Sequence, residues 1–207
     1  LSSERLLDEF RKLTQSVGFM RLFKDKDCLE IIEIVFPQFK NLQKFKKLNS
    51  YANENLSKID FIFLLSLMII DGTDNTDYFF YKFRISKKDQ KRLKLIDLFY
   101  KDKSDLKKFT EKNFNKFFYY DGKQAVNDII NFKLFTSTKV EKKLIKLMEI
   151  YKDKVIPTMP IGSDILMNKY NIPEGKILGN KLKMIEEIWV SNNFNISEKQ
   201  VKKIVNN

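Results

Sequence analysis

The sequence predicts an all-helical protein with no substantial sheet, and three observations predict it. In 207 residues there are only 6 Gly and 4 Pro, which suits long helices joined by short loops and not a many-stranded sandwich. Apolar residues recur at spacings of three and four along most of the chain, the period that lines one stripe of a helix. The one stretch of strand-type residues, 78–85, has no partner stretch to pair with. A lone strand is unstable, so an aromatic-rich helix or loop is expected there.

Each element has its own signal. Ser2 stands as an N-cap before Leu6, Phe10, Leu13, Val17 and Met20, which fall on one helical stripe with Gly18 near its end. A second helix is expected over 28–35, stopped at Phe36-Pro37 because proline cannot continue it. Residues 49–55 carry only a weak pattern. Residues 58–70 read as an apolar core helix, ended by the polar turn from Asp71 to Asp77. Ser86 reads as the cap of a helix over 87–101, with Leu93, Ile96 and Tyr100 facing inward. Helices over 105–118 and 122–132 follow, the latter with Ala125, Ile129 and Phe132 on one side. Thr138 is read as the cap of the next, which carries Val140, Leu144, Leu147 and Tyr151. Pro157 and Pro160 mark the clearest linker. Beyond it, helices are expected over 163–170, over 175–191 with Leu178, Leu182, Ile185 and Trp189 inward, and from Ser197 onward. The total is about nine or ten helices.

Composition narrows the function. Hydrophobic residues make up 43% and charged residues 32%, the profile of a folded globular chain. The net charge is +12, which suits a polyanionic partner. Of the 39 basic residues 34 are Lys, and Ala occurs only twice, a pattern that AT-rich coding sequence would produce by itself. Such bias would spread lysine evenly, and here it is not even. Residues 1–50 carry net +3, 51–81 net −4, 82–154 net +11 and 155–207 net +2. The concentrated middle block points to an anion-binding surface.

The chain has no histidine and one cysteine, Cys28. That removes Ser-His-Asp and Cys-His nucleophile systems, His-ligated zinc and any soft-ligand metal site from this sequence. A lone cysteine and no secretory leader pattern lead us to expect a cytoplasmic protein. The longest apolar run, from Ile59 to Ile70, contains Asp60 and is about twelve residues long, too short to span a bilayer. No membrane partner is expected.

The candidate sites are these. Glu4, Arg5 and Glu9 form an E-R-x-x-x-E pattern in which Arg5 and Glu9 can pair along a helix. Asp25-Lys26-Asp27 has the D-x-D form of a two-metal site, but lacks the strand, apolar neighbours and Gly-Ser loop such chemistry needs. The turn from Asp71 to Asp77 resembles a calcium loop, yet its sixth and twelfth positions are Thr76 and Lys82 in place of Gly and Glu. Lys87, Lys88, Lys91, Arg92 and Lys94 crowd one stretch, and Lys139, Lys142, Lys143 and Lys146 fall on one predicted helix face. Each cluster can meet successive phosphates. Phe79-Phe80-Tyr81 and Phe117-Phe118-Tyr119-Tyr120 are the aromatic runs that could stack bases, against a competing need to fill the core. No catalytic or metal-ligating residue is assigned.

Read together, these motifs resemble a known family. Residues 2–13, with Glu4, Arg5 and Glu9, resemble the start of the neck in class II bacterial tRNA nucleotidyltransferases (CCA-adding enzymes) and poly(A) polymerases. Phe83-Arg84-Ile85-Ser86 followed by Arg92-Leu93 resembles that family's L-R-x-S…R-L body segment, and Gly122, Ala125 and Asp128 its G…A-x-D helix. The tail resembles it most specifically. Gly162, Asp164, Pro173, Gly175, Leu178, Gly179, Glu186 and Trp189 follow the G-x-D-L…P-G-x-x-L-G-x-x-L…E-x-x-W pattern, although Glu174 splits the usual Pro-Gly. The resemblance implies an elongated neck (1–57), a basic body (58–156) and a tail (157–207). It also implies tRNA as partner, with Gly175 and Lys176 at a phosphate seat and Glu4, Arg5 and Glu9 bracing a nucleotide pocket. The family's catalytic head, with its magnesium carboxylates and its CTP- or ATP-selecting segment, is not in this sequence. The resemblance therefore implies a head on the same polypeptide or on a separate subunit, and no cofactor in this chain. A poly(A) polymerase part, a protein-binding helical adaptor and a peripheral protein held to anionic membrane are the alternatives.

Overall fold

The computed structural model describes residues 2–16, 18–101 and 108–206. Among them every regular element is helical. Among the described residues no helix is long and apolar enough to cross a membrane. The chain divides into two compact units, unit 1 (residues 1–103 and 127–145) and unit 2 (residues 104–126 and 146–207).

Helix α1 (Ser3–Thr14) begins where Ser2 accepts a hydrogen bond from the Arg5 N–H at 3.3 Å. It buries Leu7 and Phe10. The single long stripe expected from Leu6 to Met20 is not formed. The Thr14 and Ser16 hydroxyls donate back to the carbonyls of Arg11 and Leu13, at 2.6 and 2.7 Å. Gly18 then takes φ +91, and a separate turn, α2 (Phe19–Leu22), follows. Leu13 is left 40% exposed, and Val17 lies outside the described residues.

Helix α3 (Lys26–Val35) is capped by Asp25 and ends before Pro37. A 3-10 turn (Leu42–Lys47) buries Leu42 and Phe45. Asn49 caps α4 (Ser50–Asn55), and a second 3-10 turn (Leu56–Lys58) leads to α5 (Phe61–Ile69). Every residue of α5 from Phe63 on is buried, as befits a helix apolar all round. Residues 78–85 form no strand. Most of them lie in α6 (Asn75–Phe83), which Arg84 ends in the left-handed region at φ 47. Ser86 caps α7 (Lys87–Lys101) as expected, accepting from the Asp89 N–H and donating to its carboxylate.

The helices expected over 105–118 and 122–132 run together as α8 (Glu111–Thr136), bent at Gly122. The expected start at Asp105 lies outside the described residues. Gly122 takes φ +82 with open space where a side chain would stand, so the backbone angle, not crowding, calls for glycine there. Helix α9 (Lys142–Lys152) begins four residues after the expected cap Thr138, with the Leu144 N–H bonded to the Glu141 carbonyl. Helices α10 (Ser163–Tyr170), α11 (Lys176–Ser191) and α12 (Glu198–Asn206) follow the sequence expectation closely.

Phenylalanine supplies nearly half of the buried core residues of unit 1, and leucine and isoleucine most of the rest. Phe10 meets Phe36 and Phe39 at 5.0 Å between ring centroids, and Phe36 and Phe39 stack at 4.7 Å. With two alanines in the chain, helices cannot close up on small residues, and rings fill the gaps between them. In unit 2, Leu166, Ile172, Leu178, Ile185, Val201 and Ile204 form an aliphatic cluster.

Candidate nucleic-acid interface

The residues that carry the sequence motifs meet one another within each unit. In unit 1, Arg92 lies between two carboxylates. Its Nε and Nη2 donate to Asp128 at 2.5 and 2.9 Å, and its Nη1 and Nη2 donate to Asp60 at 2.8 and 2.6 Å. Asp60 also caps α5 through the amides of Ile62 and Phe63. Burial works against charge on both Asp60 and Arg92. The paired charges outweigh it, holding the Asp60 carboxyl below its ordinary value and the guanidinium above. The sequence placed Arg92 among the RNA-contacting cations, and in the fold it is paired with two carboxylates of unit 1. Four donor–acceptor contacts commit its guanidinium to the fold.

The neck motif also pairs differently from the expectation. Glu9 accepts from Lys12 at 2.8 Å in place of Arg5, and Glu4 reaches Arg84 at 3.4 Å. Arg5 is exposed and makes no ion pair among the described residues. In unit 2, the Tyr119 hydroxyl donates to Glu186 at 2.8 Å, and its ring meets Trp189 edge-on at 5.4 Å. Burial, helped by the Glu186 carboxylate, pushes the Tyr119 hydroxyl up to about 12.

The remaining carboxylate candidates have structural work. Asp25 caps α3, and Asp71 accepts from the Thr73 amide and hydroxyl of its own turn. Asp74 and Asp77 pair with Lys101 and Lys94. Among the described residues no group of three His, Cys, Asp or Glu is placed to hold a metal ion. Of the aromatic runs, Phe79, Phe80 and Phe118 are buried, while Tyr81 and Tyr120 are exposed.

The lysines are placed otherwise. Lys87 and Lys88 form the first turn of α7, Lys142 and Lys143 the first turn of α9, and Lys176 opens α11 behind Gly175. All are exposed, and none makes an ion pair among the described residues. A helix N-terminus already carries partial positive charge and unpaired N–H groups, so lysine there is unfavourable for the isolated helix and favourable for a bound anion. Helices α9 and α11 have no acidic residue in their first turn, and α11 has no side-chain cap. Gly175 holds φ +137, an angle only glycine adopts readily. Lys139 precedes α9 and does not share a face with it, and Lys146 lies exposed one turn further along. Lys91 is exposed but engaged within the protein, and Lys94 is paired with Asp77.

Sequence reasoning missed a third basic group. Lys44, Lys46 and Lys47 lie exposed on the 3-10 turn Leu42–Lys47 of unit 1. Their signal, K-x-K-K, was diluted by the acids of the neighbouring helix α3.

No family model matches the chain, and no curated protein matches it either.

Proposed function

We propose that this chain is the tRNA-binding, C-terminal part of a tRNA nucleotidyltransferase, whose catalytic head lies outside it. The observation that carries the RNA-binding reading is the set of exposed lysines at the starts of α9 and α11, whose first turns hold no acid, joined by Lys87 and Lys88 beside Asp89 at the start of α7. A merely solubilising lysine would avoid the positive end of a helix, whereas a phosphate-binding one gains from it. Supporting the family is the meeting of residues quoted from separate motifs, Glu4 with Arg84 and Arg92 with Asp128.

On this reading the chain binds and orients tRNA. Lys87, Lys88, Lys139, Lys142 and Lys143 serve as phosphate contacts in unit 1, and Lys146, Gly175 and Lys176 in unit 2. Magnesium and CTP or ATP belong to the head, which adds CCA or part of it, and the reaction is cytoplasmic. A poly(A) polymerase head would use the same binding part. The protein-adaptor alternative draws on α3, where Ile31 and Ile34 are exposed at neighbouring positions. Two exposed aliphatic residues are ordinary on a soluble surface.

The test is competition at near-physiological salt. Labelled tRNA bound to the purified chain should be displaced by unlabelled tRNA more readily than by duplex DNA of equal length, because A-form shape and 2′-hydroxyls distinguish them. Equal competition by DNA would reduce the lysines to a general polyanion surface.

A further inference from the structure

Of the chain's eight tyrosines, all but two are engaged in the fold. Tyr51, Tyr100, Tyr119 and Tyr151 each donate a hydroxyl hydrogen bond. Tyr120 meets the ring of Tyr119, and Tyr170 lies under the Lys169 ammonium. Tyr78 and Tyr81 have neither a hydrogen bond nor a ring partner among the described residues. They stand three residues apart on α6, 55% and 84% exposed, with their rings open to solvent. The Asp77–Lys94 pair at 3.2 Å sets where α6 lies against α7. Tyr81 is one helical turn beyond Asp77 on the same side of α6, and Lys91 is one turn before Lys94 on α7. Both steps run toward the turn that joins the helices, so Tyr81 stands level with the exposed Lys91 and about one turn from Lys87. Each acid on these two helices and at the α6 cap already has a partner: Asp77 with Lys94, Asp74 and Asp97 with Lys101, and Asp89 with Ser86. Lys87 and Lys88 have none, so the surface beside the open rings carries uncompensated positive charge.

Open aromatic rings beside uncompensated cations fit a polyanion whose bases have free faces, which is single-stranded nucleic acid. We propose that Tyr78 and Tyr81 stack on unpaired bases of the bound RNA, with Lys87 and Lys88 on the flanking phosphates. Bases inside a duplex have both faces covered by their neighbours, so the tyrosines select unpaired positions. The lysines alone make no such choice, since a phosphate is the same in either form. Stacking uses the ring and reads no base edge, so the selection is for strandedness and not for sequence. This inference rests on the RNA-binding reading of the same face.

The experiment compares two RNA duplexes of equal length binding to the whole chain at fixed salt, one fully paired and one interrupted by a short internal loop. The looped duplex should bind about tenfold tighter, the scale of one stacked base. Tyr78→Ala with Tyr81→Ala should abolish that preference and leave affinity for the paired duplex unchanged. Tyr78→Phe with Tyr81→Phe keeps both rings and should preserve it. Lys87→Ala with Lys88→Ala should weaken both duplexes alike. The substituted side chains are exposed, so the circular dichroism spectrum should be the same in every variant. Equal binding of the two duplexes, or a preference that survives the double alanine change, would overturn the tyrosine surface and leave RNA binding standing. Self-association that the alanine variant abolishes, without a preference between duplexes, would assign the rings to a second copy of the chain and overturn it equally. If neither duplex nor tRNA binds, the RNA-binding reading falls first and this inference with it.

Discussion

Unit 1 and unit 2 each hold distant parts of the chain together at one node, and the two nodes differ in kind. In unit 1 the node is ionic, with Arg92 gripped by Asp60 and Asp128, 32 and 36 residues away. In unit 2 it is aromatic, with Tyr119 set between the Glu186 carboxylate and the edge of Trp189. An ionic node fixes geometry sharply but gains little net stability, since desolvating its charges offsets their attraction. Its weakness is asymmetry: losing one partner strands the others. An aromatic node gains from buried area and loses stability in graded steps.

The largest expected effect follows from that asymmetry. Arg92→Met removes two hydrogen bonds from Asp128, only 3% exposed, and two from Asp60, and should destabilise the protein by about 3 kcal/mol in urea denaturation followed by circular dichroism. Adding Asp128→Leu and Asp60→Asn, which keeps a capping side chain on α5, should recover most of the loss. If the single change costs under 1 kcal/mol by the same measurement, roughly the value of an exposed pair, the node is not what orders unit 1.

The aromatic node should yield less. Tyr119→Phe removes one hydroxyl and keeps the ring, so a loss of about 1 kcal/mol is expected. The nodes also separate by pH. The Asp60 carboxyl is held below its ordinary value, so its contribution is complete above about pH 4 and is lost as pH falls through the depressed value. Asp60→Asn should flatten the acid limb of the stability profile. The Tyr119 hydroxyl is raised to about 12. The unfolded chain therefore ionises first above about pH 10, and stability falls from there. Tyr119→Phe should soften that alkaline fall. Unchanged acid and alkaline limbs in the two variants would sink the contrast.

Smaller still is the stability of the lysine face. Lys87→Glu or Lys142→Glu places an anion where the helix dipole favours one, and should raise stability by a few tenths of a kcal/mol each, read as a small upward shift in Tm. The same changes should weaken tRNA binding, so stability and function move in opposite directions. Arg5→Ala should leave stability unchanged, since Glu9 bonds Lys12 and not Arg5.

Much of the fold was legible because its boundaries are marked by local chemistry. Ser86, Pro37 and the run from Pro157 to Pro160 are punctuation that one strand of sequence carries. The break after α1 was not legible, because hydroxyl back-bonding at Thr14 and Ser16 competes with a stripe that continues on paper. Nor was the start of α9, where Thr138 offers a good cap that the structure does not take. The role of Arg92 was hidden for a different reason. Counting charge along the chain puts it with the lysines, and its two acids are separated from it by more than thirty residues. The basic group of Lys44, Lys46 and Lys47 was hidden likewise, offset in a charge count by the acids of α3. The lysines of 82–154 were visible, and the Ser86 cap already put Lys87 and Lys88 in a first turn, but the start of α9 at Lys142 and Lys143 belongs to the folded chain.

The central claim is therefore that these lysines meet RNA phosphates, and salt dependence tests it most directly. The logarithm of the tRNA association constant, plotted against the logarithm of salt concentration, should be steep for the native chain. With Lys87, Lys88, Lys139, Lys142 and Lys143 changed to Glu, the slope should become shallower by about 0.7–0.9 for each lysine that met a phosphate, with the circular dichroism spectrum unchanged. An identical slope and affinity in the fivefold variant would contradict the account.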